Sequence, residues 1–153
     1  MKSKQMRVLG GLAVALLGVS ALSGCSTSEE DRASCETFSE VFAAAQEFAD
    51  TDPSKAAEIM DEGAPLALDQ AKDPELVELL DQFTSDYATL VGAGEDAPED
   101  EEAYFDFLIN FLKIGETCQG LGVDVEGYSD IMEGLDADGM TVDDLEEMVR
   151  GEK

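Results

Sequence analysis

Apolar residues recur every three or four positions along most of this chain, and that spacing constrains its fold more than any other feature. Over residues 30–50 the recurring residues share one helical face, which predicts an amphipathic helix. Two pairs, Asp52-Pro53 and Asp73-Pro74, each predict a helix start, because aspartate caps a helix and proline suits its first position. No segment alternates as a β-strand does. The sequence therefore predicts an all-α fold.

The same periodicity predicts four long helices joined by short connections. The second covers residues 53–71 and contains Pro65, where we expect a kink or a brief break because proline has no amide hydrogen. The third covers residues 76–91, and the fourth ends near Cys118. Four amphipathic helices with short loops favour an up-down-up-down four-helix bundle over residues 34–122.

The amino terminus has the anatomy of a secretory signal. A basic start at residues 1–7 is followed by apolar residues 8–22 and then by two small residues. The apolar run of about 15 residues is shorter than the roughly 20 needed to span a bilayer. We therefore favour a signal peptide at residues 1–24 over the alternative, a permanent transmembrane helix.

Leu22-Ser23-Gly24-Cys25 resembles the lipobox of bacterial lipoproteins, in which the cysteine follows an aliphatic residue and two small ones. The resemblance implies cleavage between Gly24 and Cys25, a thioether diacylglycerol on Cys25, and often a further acyl chain such as palmitate. Two or three chains anchor a protein stably, whereas one does not. We expect a lipid anchor at Cys25 and a solvated tether over residues 25–33, on the extracytoplasmic face of the cell membrane. The alternative is a plain secreted protein with a free thiol.

Cys35 and Cys118 are the remaining cysteines. An even pair in an exported domain favours a disulfide, worth about 4 to 5 kcal/mol on the chain-entropy model. The alternative, a redox-active pair, usually has Cys-x-x-Cys spacing, which these two lack. In an up-down-up-down bundle the start of the first helix lies beside the end of the fourth. This arrangement resembles small exported helical lipoproteins of actinobacteria, and that resemblance brings no activity with it.

Acidic side chains dominate the composition. The 153 residues include 36 acidic and nine basic ones, for a formal charge of −27, so we expect no nucleic-acid partner. The apolar fraction of 44% indicates a folded core rather than a disordered chain. The chain has no histidine, which removes the common nucleophile pairs and several metal signatures. We therefore predict no catalytic residues. A salty habitat and a functional acidic coat both explain the charge.

Residues 123–153 form an acidic C-terminal segment with two short predicted helices, at 128–135 and 142–149. Its apolar residues either dock on the bundle or fold only on a partner. Four of its carboxylates are the candidate metal ligands: Asp136, Asp138, Asp143 and Glu147. They resemble an EF-hand loop, but the glycine stands at the wrong position for one. We interpret the stretch as an Asp-Gly turn between helices, with weak calcium binding as the alternative.

Four aromatic residues follow the predicted fourth helix: Tyr104, Phe105, Phe107 and Phe111. Their spacing favours a core position, and a ligand pocket between helices is the alternative. We expect a membrane-anchored cell-envelope lipoprotein that acts as a binding or interaction module toward a small ligand or an envelope protein. The second hypothesis is a calcium-binding module that acts through the C-terminal segment.

Overall fold

The computed structural model describes residues 23–94, 101–137 and 139–151, and these residues contain helices and no β-strand. The predicted signal peptide up to residue 22 lies outside the described residues. Six helices follow one another in the described part: α1 (Ser23–Ala49), α2 (Pro53–Gln70), α3 (Pro74–Leu90), α4 (Glu101–Gly120), α5 (Tyr128–Ala137) and α6 (Val142–Gly151). The all-α prediction is confirmed.

The two Asp-Pro pairs start α2 and α3, as the sequence predicts. The Asp52 side chain accepts a hydrogen bond from the backbone N–H of Lys55 at 3.1 Å. Asp73 accepts from the N–H groups of Glu75 at 2.8 Å and Leu76 at 3.3 Å. Each carboxylate satisfies amides that the first turn of a helix leaves unpaired. The prolines that follow occupy positions where a missing N–H costs little.

Helix α2 continues through Pro65, where the sequence predicted a kink or a brief break, and no break occurs. Tertiary packing explains the difference. Ala64 and Ala67 are buried, and a Cβ on Gly63 would collide with the side chain of Val41 in α1. Burying this closely packed face offsets the roughly 3 kcal/mol that an internal proline costs a helix.

Helix α1 begins at Ser23, upstream of the predicted start near residue 30. Residues 25–33, which the sequence assigns to a tether, lie within this helix, and their role as a tether stays a prediction. Asp31 does not belong to a solvated spacer, because it is buried. Its carboxylate accepts hydrogen bonds from the backbone N–H groups of Lys72 at 2.6 Å and Asp73 at 2.9 Å. Asp31 therefore ties α1 to the turn between α2 and α3.

Aromatic side chains fill the centre of the molecule. Phe38, Phe42, Phe83, Tyr87 and Phe111 are buried, and contacting pairs of their rings have centroids 4.9 to 6.3 Å apart. Such pairs contribute about 0.5–1.5 kcal/mol each beyond the area that they bury. These residues come from α1, α3 and α4, so the aromatic core lies between those three helices. Helix α2 contributes mainly alanines to the buried set.

Two contacts fix α1 against its neighbours. The Ser34 hydroxyl donates to the backbone carbonyl of Ala67, near the end of α2, at 2.8 Å. Cys35 forms a disulfide with Cys118, near the end of α4, and the two Cα atoms are 5.5 Å apart. The predicted disulfide is therefore confirmed. It joins residues 83 positions apart in the sequence and holds α4 beside α1.

The two C-terminal helices pack against α4. Val123, Val125, Tyr128 and Leu145 are buried, although they stand in an acidic segment. The bounds of α5 and α6 lie within two residues of the predicted ones. Of the two alternatives for this segment, docking on the other helices is the one observed.

Candidate functional site

The predicted lipidation site lies at the beginning of the described chain. Cys25 belongs to the first turn of α1, and its side chain is not among those described. None of the helices in the described ranges combines the length and apolar character needed to cross a bilayer. Lipid attachment at Cys25 stays a prediction.

The candidate metal ligands lie around the turn between α5 and α6. Asp136 stands in the last turn of α5, and Asp143 and Glu147 belong to α6. Asp138 lies outside the described residues. Within the described ranges, no three acidic or sulfur-bearing side chains come together in a way that could hold a metal ion. The calcium prediction as a whole stays untested, because one of its four ligands is not described.

Hydrogen bonds between Thr141 and Asp144 organise the start of α6. The backbone N–H and the hydroxyl of Thr141 both donate to the Asp144 carboxylate, at 2.8 and 2.7 Å. The N–H of Asp144 donates back to the Thr141 hydroxyl at 3.2 Å, which completes a capping box. The bond from the Thr141 hydroxyl, followed by that from its N–H, lowers the pKa of the Asp144 carboxyl. Gly139 lies in the same turn and has a φ of 69°, a backbone conformation that glycine adopts more readily than other residues.

A cleft of about 530 Å³ opens between α1, α3, α4 and the start of α5, and we call it the aromatic cleft. Phe42, Tyr87 and Phe111 form a buried floor, and Phe107 is half-buried beside them. Tyr104 also lines the cleft and is 58% exposed, so it stands at the mouth. Four aliphatic residues complete the lining: Ala49, Val91, Leu108 and Ile131. This volume falls within the roughly 300–1,000 Å³ typical of small-molecule sites.

One wall of the aromatic cleft is formed by Glu126, Gly127, Asp130 and Ile131, and two contacts made by residues close to these in the chain position the wall. The Ser39 hydroxyl donates to the backbone carbonyl of Asp124 at 3.0 Å, which joins the segment to α1. On the other side, the Tyr128 ring packs directly over Gly115 of α4, where a Cβ would overlap with the ring. Only glycine permits this approach, so the shape of the cleft depends on Gly115.

The Tyr87 hydroxyl is buried and has no hydrogen-bond partner among the described residues. Burial raises the pKa of this phenol, so it is protonated at neutral pH. A buried polar group without a partner costs roughly 1–3 kcal/mol. A phenol hydroxyl both donates and accepts. Tyr87 is therefore a lining residue of the cleft that carries a buried polar group without a described partner.

The rim of the aromatic cleft is negatively charged. Asp50, Glu126 and Asp130 line the cleft and are exposed, as is Gln46. No described lining residue is a lysine or an arginine. None of the three carboxylates forms an ion pair with a basic residue in the described part of the chain. The cleft thus combines a buried aromatic floor with an anionic rim.

A second hollow, of about 450 Å³, lies between α3, α4 and α6, and we call it the polar groove. Lys113 contacts Glu146 at 2.7 Å, and Arg150 pairs with the same carboxylate. The hydrogen bond from Lys113 is the main cause that lowers the pKa of the Glu146 carboxyl, and the charges of Lys113 and Arg150 lower it further. Both basic residues of this groove are therefore engaged with a carboxylate of the protein itself.

The sequence predicts only one side of the aromatic cleft. Three of the four aromatic residues singled out on α4 line it, whereas Phe105 does not and is 41% exposed. The core interpretation holds for Phe111, which is both buried and part of the floor. The pattern does not identify Phe42 and Tyr87 as site residues, because their spacing marks only a buried face. The one sequence signal that could have identified this part of the site is Tyr87, which places a polar hydroxyl on an otherwise apolar face of α3.

No family model, curated protein or solved structure matches this chain. A function for the aromatic cleft is therefore argued from its own lining. That lining provides a buried aromatic floor, a phenol hydroxyl without a described partner, and a rim of carboxylates.

Proposed function

We propose that this chain is a lipid-anchored lipoprotein of the cell envelope whose helical domain binds a small molecule in the aromatic cleft and performs no catalysis. One observation carries the binding role: the lining residue Tyr87 has a buried hydroxyl without a described partner. Acyl chains on Cys25 would hold the domain at the extracytoplasmic face of the membrane. The formal charge of −27 supports a partner other than nucleic acid.

We also propose that α1–α4 form an up-down-up-down bundle with the acidic helices α5 and α6 on its outside. Two pairs support opposite directions for α1 and α4. Cys35 bonds to Cys118, and seven residues later Phe42 contacts Phe111, which precedes Cys118 by seven. Asp31 meets Lys72, just after the end of α2, and ten residues later Val41 lies against Gly63, which precedes Lys72 by nine, so opposite directions are supported for α1 and α2 too.

The oxidised Cys35–Cys118 pair supports export, because disulfides persist mainly in oxidising compartments. Mass spectrometry of the membrane fraction, combined with labelled palmitate, tests the anchor. We expect a mature amino terminus at Cys25 that carries diacylglycerol, and loss of the label in Cys25→Ser. Ser26→Ala, next to the site, serves as the control and should keep the label. An unlipidated peptide spanning residues 24 and 25 in the membrane fraction would contradict the anchor.

Nile red tests the binding role, since it is neutral and apolar, carries a carbonyl acceptor, and fluoresces strongly in apolar surroundings. We expect saturable binding of one dye per chain to the purified domain. Tyr87→Phe removes the hydroxyl and keeps the ring. We expect it to weaken dye binding about 2- to 10-fold, which corresponds to one hydrogen bond of about 0.5–1.5 kcal/mol.

Stability measurements on the same variant separate a binding hydroxyl from a structural one. Because Tyr87→Phe removes a polar group without a described partner, we expect the free energy of unfolding to stay constant or to rise by about 1 kcal/mol. Tyr128→Phe removes a hydroxyl from a residue outside the cleft lining and should leave dye binding unchanged. A Tyr87→Phe protein that is less stable yet binds the dye normally would overturn the binding role.

Calcium binding by the C-terminal carboxylates is the competing hypothesis, and no described contact favours it. Calorimetry with millimolar calcium distinguishes the two. Heat that disappears in Asp136→Asn/Asp143→Asn, together with no dye binding in the cleft, would favour the calcium-binding module.

A further inference from the structure

We propose that the ligand of the aromatic cleft is an organic cation, namely a molecule with an apolar body and an ammonium group. This inference rests on the binding role proposed above and names the chemical class of the ligand. It follows from three properties of the lining, which are the aromatic floor, the charge of the rim and the hydroxyl of Tyr87.

The floor selects for an apolar body. Phe42, Tyr87 and Phe111 are buried, and Phe42 contacts the other two rings, so they form a rigid base beneath the half-buried lining residues. Those half-buried residues, Val91, Phe107 and Leu108, offer the apolar surface, and covering it stabilises a complex in proportion to the apolar area removed from water. The cleft volume of about 530 Å³ accommodates an aromatic or branched aliphatic group.

The mouth selects for positive charge. Asp50, Glu126 and Asp130 supply three carboxylates, and no described basic residue neutralises them. Between rim and floor stand Tyr104 and Phe107, whose ring centroids are 6.4 Å apart. The face of an aromatic ring attracts a cation electrostatically. An anionic ligand would meet three carboxylates and no described cation at this entrance.

The Tyr87 hydroxyl suits an ammonium group as well. Its oxygen accepts a hydrogen bond from a protonated amine, which would give this buried group the partner that the described residues do not. Hydrogen bonds that involve an ionised group are shorter and stronger than neutral ones. The apolar body, the charge and the hydrogen bond thus fit a single molecule.

The acidity of the whole chain does not by itself explain the rim. Basic residues do line a hollow of similar size, because Lys113 and Arg150 both lie in the polar groove. The two hollows differ because the polar groove has two cations in its lining, both paired with Glu146, whereas no described residue that lines the aromatic cleft is a cation. The experiment therefore compares carboxylates inside the cleft with carboxylates elsewhere.

Three probes share one skeleton and differ in charge: 4-phenylbutylammonium, 4-phenylbutanol and 4-phenylbutyrate. Titration calorimetry on the full folded domain, at two salt concentrations, measures each affinity. We expect the ammonium compound to bind at least tenfold more tightly than the alcohol, and the carboxylate to bind most weakly. The preference should shrink with added salt without disappearing, because the rim lies against a poorly solvated floor.

Rim variants test which carboxylates matter. We expect Asp50→Asn/Glu126→Gln/Asp130→Asn to lower the affinity for the ammonium compound to that for the alcohol, while leaving the alcohol unchanged. A control with the same net charge neutralises three exposed carboxylates that line none of the described hollows: Glu40→Gln, Asp61→Asn and Asp81→Asn. The control should keep the full preference for the cation.

Each outcome decides a separate point. Equal binding of the three probes, or equal losses in rim and control variants, would overturn the cation assignment and leave the binding cleft standing. If neither Nile red nor any of the three probes binds, the proposed binding role itself fails. A tenfold preference that only the rim variants abolish supports both.

Discussion

Helix α4 carries two hollows of similar size on different faces, and they differ in what their polar groups contact. The aromatic cleft measures about 530 Å³ and the polar groove about 450 Å³. In the groove, Lys113 and Arg150 are already paired with Glu146. In the cleft, the Tyr87 hydroxyl and the rim carboxylates have no such partner in the described part of the chain. Volume therefore does not distinguish the two hollows as binding sites. The aromatic cleft is the better candidate because its rim carboxylates and the Tyr87 hydroxyl have no such partner among the described residues.

The two faces of α4 arise from one helical period. Tyr104, Phe107 and Phe111 follow each other at three and four residues and face the cleft. Asp106 and Lys113 are offset from them and line the groove. The flanking segments complete the contrast, because α6 brings its own ion pair to the groove, whereas Glu126 before α5 and Asp130 within α5 bring to the cleft carboxylates that pair with no described basic residue.

Breaking the Cys35–Cys118 disulfide, which holds α4 against α1, should destabilise the fold more than any other change proposed below. On the chain-entropy model, closing a loop of this length stabilises the fold by about 4 to 5 kcal/mol. We expect the urea midpoint to fall correspondingly when reductant is added, with dye binding lost at the same point. Because Cys25→Ser removes the third cysteine of the chain, measurements on that variant report only on the Cys35–Cys118 pair. An unchanged urea midpoint after addition of reductant would contradict the prediction.

A smaller effect is expected from Gly115→Ala, which tests how the cleft wall is set. The new methyl group would overlap with the Tyr128 ring, so the ring and the wall behind it must shift. We expect a loss of about 1–3 kcal/mol in unfolding free energy, typical of overpacking, together with weaker dye binding. Chemical denaturation and dye titration measure the two effects.

Gly134→Ala in α5 is the matched control for that substitution. Nothing lies within 4 Å of the position that its Cβ would occupy. There we expect a neutral or slightly stabilising change of about 0.5–1 kcal/mol, because alanine favours the helix more than glycine does. If both variants were equally stable, the contact between Gly115 and Tyr128 would not set the wall.

The dependence on Gly115 shows where sequence reasoning stops. Periodicity and caps predict most helix bounds closely, because those signals are local, although α1 begins well upstream of its predicted start. The disulfide follows from cysteine count and compartment. The ring over Gly115 and the hydrogen bonds of Asp31 join residues far apart in the chain, so no local pattern reveals them. The floor of the cleft shares this origin, since Phe42 and Tyr87 meet only after α1 and α3 pack.

On the groove side, Glu146→Gln removes the carboxylate that Lys113 and Arg150 share, and we expect it to cost up to about 1 kcal/mol at neutral pH. The pKa of Glu146 is lowered below the ordinary value of 4.5 by its hydrogen bond with Lys113. Because the pKa is lowered on folding, the ion pair stabilises the fold fully at pH values above the ordinary pKa of 4.5. The contribution is lost as the pH falls through the lowered pKa.

The difference in unfolding free energy between the parent protein and Glu146→Gln should therefore be largest at neutral pH and shrink on acidification. Glu147→Gln removes the same charge from an exposed neighbour and should show no such trend. Dye binding should be normal in both variants, because neither residue lines the aromatic cleft. Altered dye binding in Glu146→Gln would mean that the two faces of α4 are coupled.

The smallest effect on stability is expected for Tyr104→Ser, which changes one residue at the mouth of the aromatic cleft. Tyr104 and Phe105 are neighbours, 58% and 41% exposed, yet only Tyr104 lines the cleft. Because more than half of Tyr104 is in contact with solvent, we expect its replacement by serine to change the unfolding free energy by about 0.5 kcal/mol or less. Tyr104→Ser should nevertheless weaken binding of 4-phenylbutylammonium by about 2- to 5-fold, since one ring face is lost from the mouth. Phe105→Ser should leave it unchanged. Equal losses in both variants would mean that general surface hydrophobicity, and not the geometry of the cleft, attracts the probe.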